Sequence, residues 1–307
     1  MNLPNTDELI RRAMKAHVVI PGFNIPYLEM MEPVVRALHD TNSVGLIMVA
    51  RLEWVKFRAK SLKAIRDEYL KVGDPAHTRL HLDHLPVIDE DLKRVDFEHD
   101  IAEAVDLGYQ SVMIDGSRLP LDENIACTKK AADIAHKGSI PIEAELGAVL
   151  GHESGPLPPY EELFTSRRGF TSPEEASRFV RESGTDWLSV AIGNIHGAIS
   201  DAGRQKEKPH ARIDLEHLER LRDATGIPLV LHGGTGIASD YVKAAFQRGI
   251  AKINVATAIR QPFERVMNES GNVTKAQEAV YQTMLTQIRD ELGIENSADK
   301  LTVPSGE

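Results

Sequence analysis

Eight short apolar runs, each followed by an amphipathic stretch, limit how this chain can fold more than any other feature. The runs cover residues 17–24, 44–50, 78–83, 111–115, 140–145, 187–191, 228–232 and 251–255. Each is aliphatic or β-branched and bounded by Gly, Pro or Asp, the pattern of strands buried on both faces. Between them, residues 29–40, 96–107, 122–137, 172–183, 214–225 and 239–247 read as helices. The sequence Thr171-Ser172-Pro173 places capping hydroxyls just before a proline at the first helical position. Eight strands alternating with helices over about 250 residues is the arithmetic of an α/β fold of the (β/α)8 TIM-barrel kind. An open doubly wound sheet would favour a Gly-rich turn after its first strand, and none is present. No linker or internal repeat marks a boundary, which predicts one domain over 1–307, with a barrel at about 5–265 and a helical C-terminal tail from about 261 to 307. Residues 147–168 and 197–213 interrupt the rhythm, and the first of these predicts a mobile loop over the barrel mouth.

Composition narrows the function classes. With 36 basic and 46 acidic residues, the net charge is −10, which disfavours a nucleic-acid partner. Cys127, the single cysteine, excludes an internal disulfide and a cysteine-based zinc cluster, and its place on an apolar helix face predicts a small buried side chain. The N-terminus has no apolar signal core, and no run approaches the ~18 apolar residues of a membrane span. The expectation is a soluble, cytoplasmic protein without a membrane partner.

Position singles out the chemistry. Asn24, Asp83, His84, Asp115, Glu143, Glu145, His196, His232 and Asn254 fall at or just beyond the C-terminal ends of the predicted strands. In a barrel those ends form one face, where catalytic groups converge. His84, His196 and His232 come from three different strands, and three imidazoles leaving one position open suit a catalytic zinc. The alternative is that each is held by backbone. Gly233, Gly234 and Gly236 follow His232, and Asn254 and Thr257 close the last strand, where barrels of this kind commonly bind phosphate.

The ordered stretches FNIPYLEM (23–30), LHLDH (80–84), SVMIDGS (111–117), EAELG (143–147), VAIGNIHG (190–197), LHGGTG (231–236) and KINVAT (252–257) resemble the class II, zinc-dependent ketose-bisphosphate aldolases, of the fructose- and tagatose-bisphosphate kind. The resemblance implies a lyase that reversibly cleaves a ketose 1-phosphate or 1,6-bisphosphate, by default fructose 1,6-bisphosphate, to dihydroxyacetone phosphate and an aldehyde. It implies zinc on His84, His196 and His232, with Asp115 and Glu145 near an alternative metal position. Asp83 would be the acid/base at the hydroxyl of the breaking bond, and Glu153 would move the proton on the donor carbon. Asn24, Gly197, Gly233, Thr235, Asn254 and Thr257 would bind substrate, chiefly its phosphate, with a monovalent cation (Na+ or K+) beside it. A homo-oligomer, dimer or tetramer, is the implied assembly. The same residues leave open an aldolase for another acceptor aldehyde, a non-catalytic phosphosugar-binding subunit of an aldolase complex, and an isomerase or epimerase.

Some positions depart from the family pattern. Leu85-Pro86 follows the first histidine, Ala50 stands where a substrate-contacting serine is usual, and Arg51, Glu53 and Trp54 come next. The loop reads Leu150-Gly151-His152-Glu153-Ser154, and residues 268–275 lack the usual basic stretch. Arg51, Arg118, Arg167, Arg168 and Arg204 are candidates for a distal anionic group, with a solvated surface arginine the alternative for each. Because Asp83 and His84 are adjacent, a regular strand would face them to opposite sides, so both can serve one site only if the strand bends or ends there.

Overall fold

The computed structural model describes residues 3–147, 159–194, 211–234 and 237–302. Eight parallel strands close into a barrel in sequence order: β1 (Ile20–Asn24), β2 (Gly45–Ala50), β3 (Thr78–Pro86), β4 (Ser111–Asp115), β5 (Ile142–Leu146), β6 (Trp187–Val190), β7 (Leu229–Leu231) and β8 (Ile250–Val255). Helices run between the strands, so the fold is a (β/α)8 TIM barrel. The expected strand set is thus present, with ends moved by at most three residues. The largest shifts are the end of β3, which runs on to Pro86, and the start of β1, which is at Ile20 rather than 17 because His17, in the left-handed conformation, terminates a preceding helix, Thr6–Ala16.

Alternation along the strands separates two environments. In β5, Ile142, Ala144 and Leu146 join the large apolar core shared with the helices, whereas Glu143 and Glu145 reach across the lumen to His232 beyond β7. In β3, Leu80 and Leu82 join that core while His81 and Asp83 face groups on β5 and β8. The lumen floor is apolar. Ile20, Leu46, Met48, Trp187 and Val230 pack there against Leu9, Ile10 and Ala13 of the Thr6–Ala16 helix and against Leu301 near the C-terminus. Asn5 caps that helix through Glu8 N–H at 2.9 Å. The plug therefore closes the end of the barrel opposite the polar strand ends.

One expectation is corrected. Residues 147–168 do not form one loop: within its described part lies a helix, Tyr160–Ser166. It starts directly after Pro159, where a proline costs no helical hydrogen bond. Tyr160 Oη donates to Gly193 O at 3.0 Å and ties this helix to the chain beyond β6. Of 197–213, only 211–213 are described. The C-terminal tail is helical as expected, through Thr257–Ser270, Val273–Thr286 and Ser297–Thr302. Cys127 is buried, as expected. No described helix is long and apolar enough to cross a membrane.

Ile10 is fully buried in the plug. Ile10→Ala should cost about 2–5 kcal/mol, the range for a core aliphatic truncation, measured as a lower urea midpoint at unchanged slope.

Candidate active site

Strand β3 solves the adjacency of Asp83 and His84 with a bulge. Its pairing with β4 runs Leu82 to Val112 and then Leu85 to Ile114, and His84 takes φ 35°. The strand does not end at Asp83; it is kinked there and continues to Pro86. A non-glycine residue in that conformation costs about 1–3 kcal/mol, which the surrounding contacts must offset. The result is that ligand atoms of Asp83, His84 and His232 all lie within 4.8 Å of one another. A second overlapping set, His84, Asp115 and Glu145, meets the same limit. The rings of His84 and His232 are 4.5 Å apart, and His84 Nδ1 is 3.7 Å from Asp115 Oδ2.

Two amides hold Asp83. Asn24 Nδ2 donates to Oδ2 and Asn254 Nδ2 to Oδ1, each at 2.9 Å. Asp83 is fully buried, yet His84 and Lys252 keep its carboxyl well below the usual range against the effect of burial. His232 lies between two carboxylates: Nε2 is 2.8 Å from Glu143 Oε1 and Nδ1 is 3.1 Å from Glu145 Oε2. Asn194 Nδ2 donates to His232 O at 2.8 Å and steadies the turn into Gly233, whose φ of 66° suits glycine. Thr257 opens the helix Thr257–Ser270 beside this turn's neighbour, β8.

The funnel is crowded with carboxyl groups. Glu53, Asp83, Asp115, Glu143 and Glu145 converge there, and Lys252 is the lysine among them. Burial opposes a charged His84, but Asp83, Asp115 and Glu145 outweigh it and push the imidazole up to about 10. The pocket thus demands positive charge at this position. Histidine nitrogens and carboxylate oxygens within reach of one another are the donor set of a divalent transition metal, so the described residues fit one.

Comparison with known proteins agrees with this geometry. The model of the family "Fructose-bisphosphate aldolase class-II" matches residues 4–300. The chain belongs to this family. It is therefore an aldolase-type lyase with class II fructose-bisphosphate aldolase-like function. The fructose-bisphosphate aldolase of Streptococcus pyogenes serotype M3 is 30% identical over 284 residues, 92% of this chain and 88% of that protein. That of Streptococcus pneumoniae serotype 4 is 30% identical over 289 residues, with the same coverage. The crystal structure of the YdjI aldolase from Escherichia coli K12 superposes with a TM-score of 0.76 at 28% identity, covering 96% of this chain and 99% of that one.

In this class II aldolase the expected residues Asn24, Asp83, His84, Asp115, Glu145, His232 and Asn254 gather at one end of the barrel, with Gly233 directly after His232. His196, Gly197, Glu153 and Thr235 lie outside the described residues. Asn254, expected at the phosphate, donates to Asp83. Arg51 lies 3.7 Å from Asp89 and 3.8 Å from Asp100, Arg118 donates to Asp89 O, and Arg167 pairs with Asp214 at 2.8 Å. Arg168 is exposed and Arg204 lies outside the described residues.

Lys252, His81 and Glu53 join the site without being among the strand-end candidates. Strand period two accounts for the first two, because residues two apart on a strand share a face: His81 with Asp83, Glu143 with Glu145, and Lys252 with Asn254. Glu53 carried no such signal. A five-residue helix, Arg51–Val55, folds it back so that Ala50 N–H donates to its Oε2 at 2.8 Å, and Asn24 Nδ2 at 3.5 Å. Burial raises its carboxyl to about 8, with Asp83 adding and the Ala50 N–H opposing.

Glu53 gives a pH prediction. Its folded value lies above the ordinary 4.5, so its contribution is complete below about pH 4.5 and is lost as pH rises towards 8. Chemical denaturation at intervals between pH 5 and 8 should show a fall in stability of at most about 1.4 kcal/mol per pH unit from this group. In Glu53→Gln that component should vanish; an identical profile in both proteins would rule it out.

Proposed function

We propose that this chain is a zinc-dependent aldolase that reversibly cleaves a ketose 1-phosphate or 1,6-bisphosphate to dihydroxyacetone phosphate and an aldehyde. The observation that carries this reading is the convergence of Asp83, His84 and His232 ligand atoms within 4.8 Å in a carboxylate-rich funnel. His84 and His232 would hold the zinc with His196. His232 is prepared for this: Glu143 takes its Nε2–H, leaving Nδ1 as the ligand nitrogen. Asp115 and Glu145, grouped with His84, form the alternative metal position. When bound, zinc supplies a Lewis acid for the oxygens of the donor half.

The chain's own groups supply the rest. Asp83 takes the proton from the hydroxyl on the carbon whose bond breaks and returns it in the synthetic direction. Its two amide contacts stop the carboxylate from rotating, so a free lone pair stays aimed at one place. Gly197, Gly233, Thr235, Asn254 and Thr257 form the cradle for the donor phosphate, with a monovalent cation (Na+ or K+) beside it. Glu153 moves the proton on the donor carbon, and Asn24 sets Asp83 at the substrate hydroxyl. An active homo-oligomer, dimer or tetramer, in the cytoplasm completes the reading.

Fructose 1,6-bisphosphate is the reference substrate, as the names of the streptococcal relatives suggest. The acceptor end of this chain is built differently. Ala50 offers no hydroxyl, Glu53 brings a buried carboxyl beside Asn24, and Arg51 is turned to Asp89 and Asp100. A missing charge-assisted contact to the second phosphate costs about 1.5–3 kcal/mol, or roughly 10–200-fold in kcat/KM.

The test is release of dihydroxyacetone phosphate by zinc-loaded protein across a panel of ketose 1-phosphates. Cleavage should be seen, with kcat/KM for fructose 1,6-bisphosphate below that for a ketose 1-phosphate with a different tail. Asp83→Ala should lower cleavage by at least about 10²-fold. A panel without dihydroxyacetone phosphate release would refute the aldolase reading, and a clear preference for fructose 1,6-bisphosphate would refute the acceptor reading.

A further inference from the structure

Lys252 is among the largest side chains buried completely in this protein, and none of the proposed steps uses it. It rises from β8 into the lumen between two polar groups. Its Nζ is 2.9 Å from Glu143 Oε2 and donates to Asn254 Oδ1 at 2.6 Å, and it lies 4.0 Å from Asp83 Oδ1. A buried ammonium is costly unless every proton finds an acceptor and the charge is matched, so a lysine kept here has a defined task.

We infer that Lys252 is a positioning residue that sets the acid/base Asp83 by fixing which way the Asn254 amide points. An ammonium has donors only, and a side-chain amide has one donor end and one acceptor end. With Nζ against it, Asn254 must turn Oδ1 to Lys252, and its NH₂ then has one direction left, towards Asp83 Oδ1 at 2.9 Å. Without Lys252, Asn254 Oδ1 loses its anchoring donor, and only the single Nδ2–H bond to Asp83 is left to hold the amide in place. Asn24 holds the other oxygen, Oδ2, from β1. Asp83 is thus gripped at both oxygens, and only one grip depends on the lysine.

Glu143 completes the arrangement. Its Oε2 balances Lys252 while its Oε1 takes the His232 Nε2–H, so one glutamate serves both arms. His81 adds no competing cation: burial, with Lys252 next, pushes its imidazole down to about 3, and its Nδ1 pairs with Ser111 Oγ at 2.8 Å. Among the described residues, Lys252 is therefore the cation that orients Asn254.

The inference rests on the role given to Asp83 above, and its test separates two half-reactions. With the roles proposed above, proton exchange at the donor carbon of dihydroxyacetone phosphate would use Glu153 and not Asp83, whereas cleavage would use Asp83. Zinc-loaded Lys252→Met should bind dihydroxyacetone phosphate within about threefold of wild type by calorimetry, keep its zinc, and exchange the donor-carbon proton at a similar rate. Its kcat for cleavage should fall about 10–100-fold, the loss of a hydrogen bond to a charged group. Asn254→Ala, which also removes a donor-phosphate contact and so should weaken dihydroxyacetone phosphate binding, should still lower cleavage more than exchange at saturating donor, and the double variant should lose no more of that ratio than the worse single one. Equal loss of cleavage and exchange in Lys252→Met, or additive losses in the double variant, would overturn the inference. If Lys252→Met does not fold, Asn254→Ala decides alone, since an unchanged cleavage-to-exchange ratio there is equally fatal. Asp83→Ala is the reference. No loss of cleavage in that variant overturns the role of Asp83 and this inference with it, whereas a loss there without one in Lys252→Met overturns only the part given to Lys252.

Discussion

Carboxylates inside a barrel need compensation, and the rest of this structure is arranged around supplying it. Asp83, Glu143 and Glu145 are all but withdrawn from water, with Glu53 and Asp115 close by. In a medium of low dielectric an unmatched charge is worth many kcal/mol, so each must find a cation, an N–H donor or a proton. Lys252 and two asparagine amides serve the lower carboxylates, a raised proton affinity serves Glu53, and the imidazoles of His84 and His232 serve the upper ones. A divalent cation at the histidines would relieve what is left. The same electrostatic pressure that makes the funnel expensive to fold would favour a bound metal ion there.

That expense is borne elsewhere in the barrel. Most outward strand residues are aliphatic, with the aromatic Phe23 on β1, and pack under the helices, and an apolar plug seals the opposite end. Stability and chemistry are thereby separated along the barrel axis. The bulge at His84 is the exception, where backbone strain and function coincide: relaxing φ at that residue would pair β3 regularly with β4 and turn either Asp83 or His84 away from His232.

Much of this was legible in the sequence, and the reasons are physical. Strand number and order follow from the repeated apolar runs, since a strand buried on its outer face by helices must be aliphatic at every second position. The adjacency of Asp83 and His84 foretold an irregular strand without saying which kind, because bulge and strand end leave the same trace in one chain. The helix Tyr160–Ser166 was hidden behind Pro158 and Pro159, which mark both loops and helix starts. Lys252 stands two residues before Asn254 on the same face, so period two alone places it in the lumen. Glu53 was not recoverable from pattern at all: its burial depends on a short helix returning it beneath Asn24, a long-range placement that no local period encodes.

A zinc aldolase requires this funnel to be a metal site held by histidines from different strands. Elemental analysis of purified protein, with His84→Ala, His196→Ala and His232→Ala measured beside wild type, tests it without assuming any substrate. About one zinc per chain in wild type, lost in each variant while the far-ultraviolet circular dichroism stays native, is the predicted result. Zinc retained in all three variants, or no zinc taken up by wild type after metal removal and reloading, would contradict it.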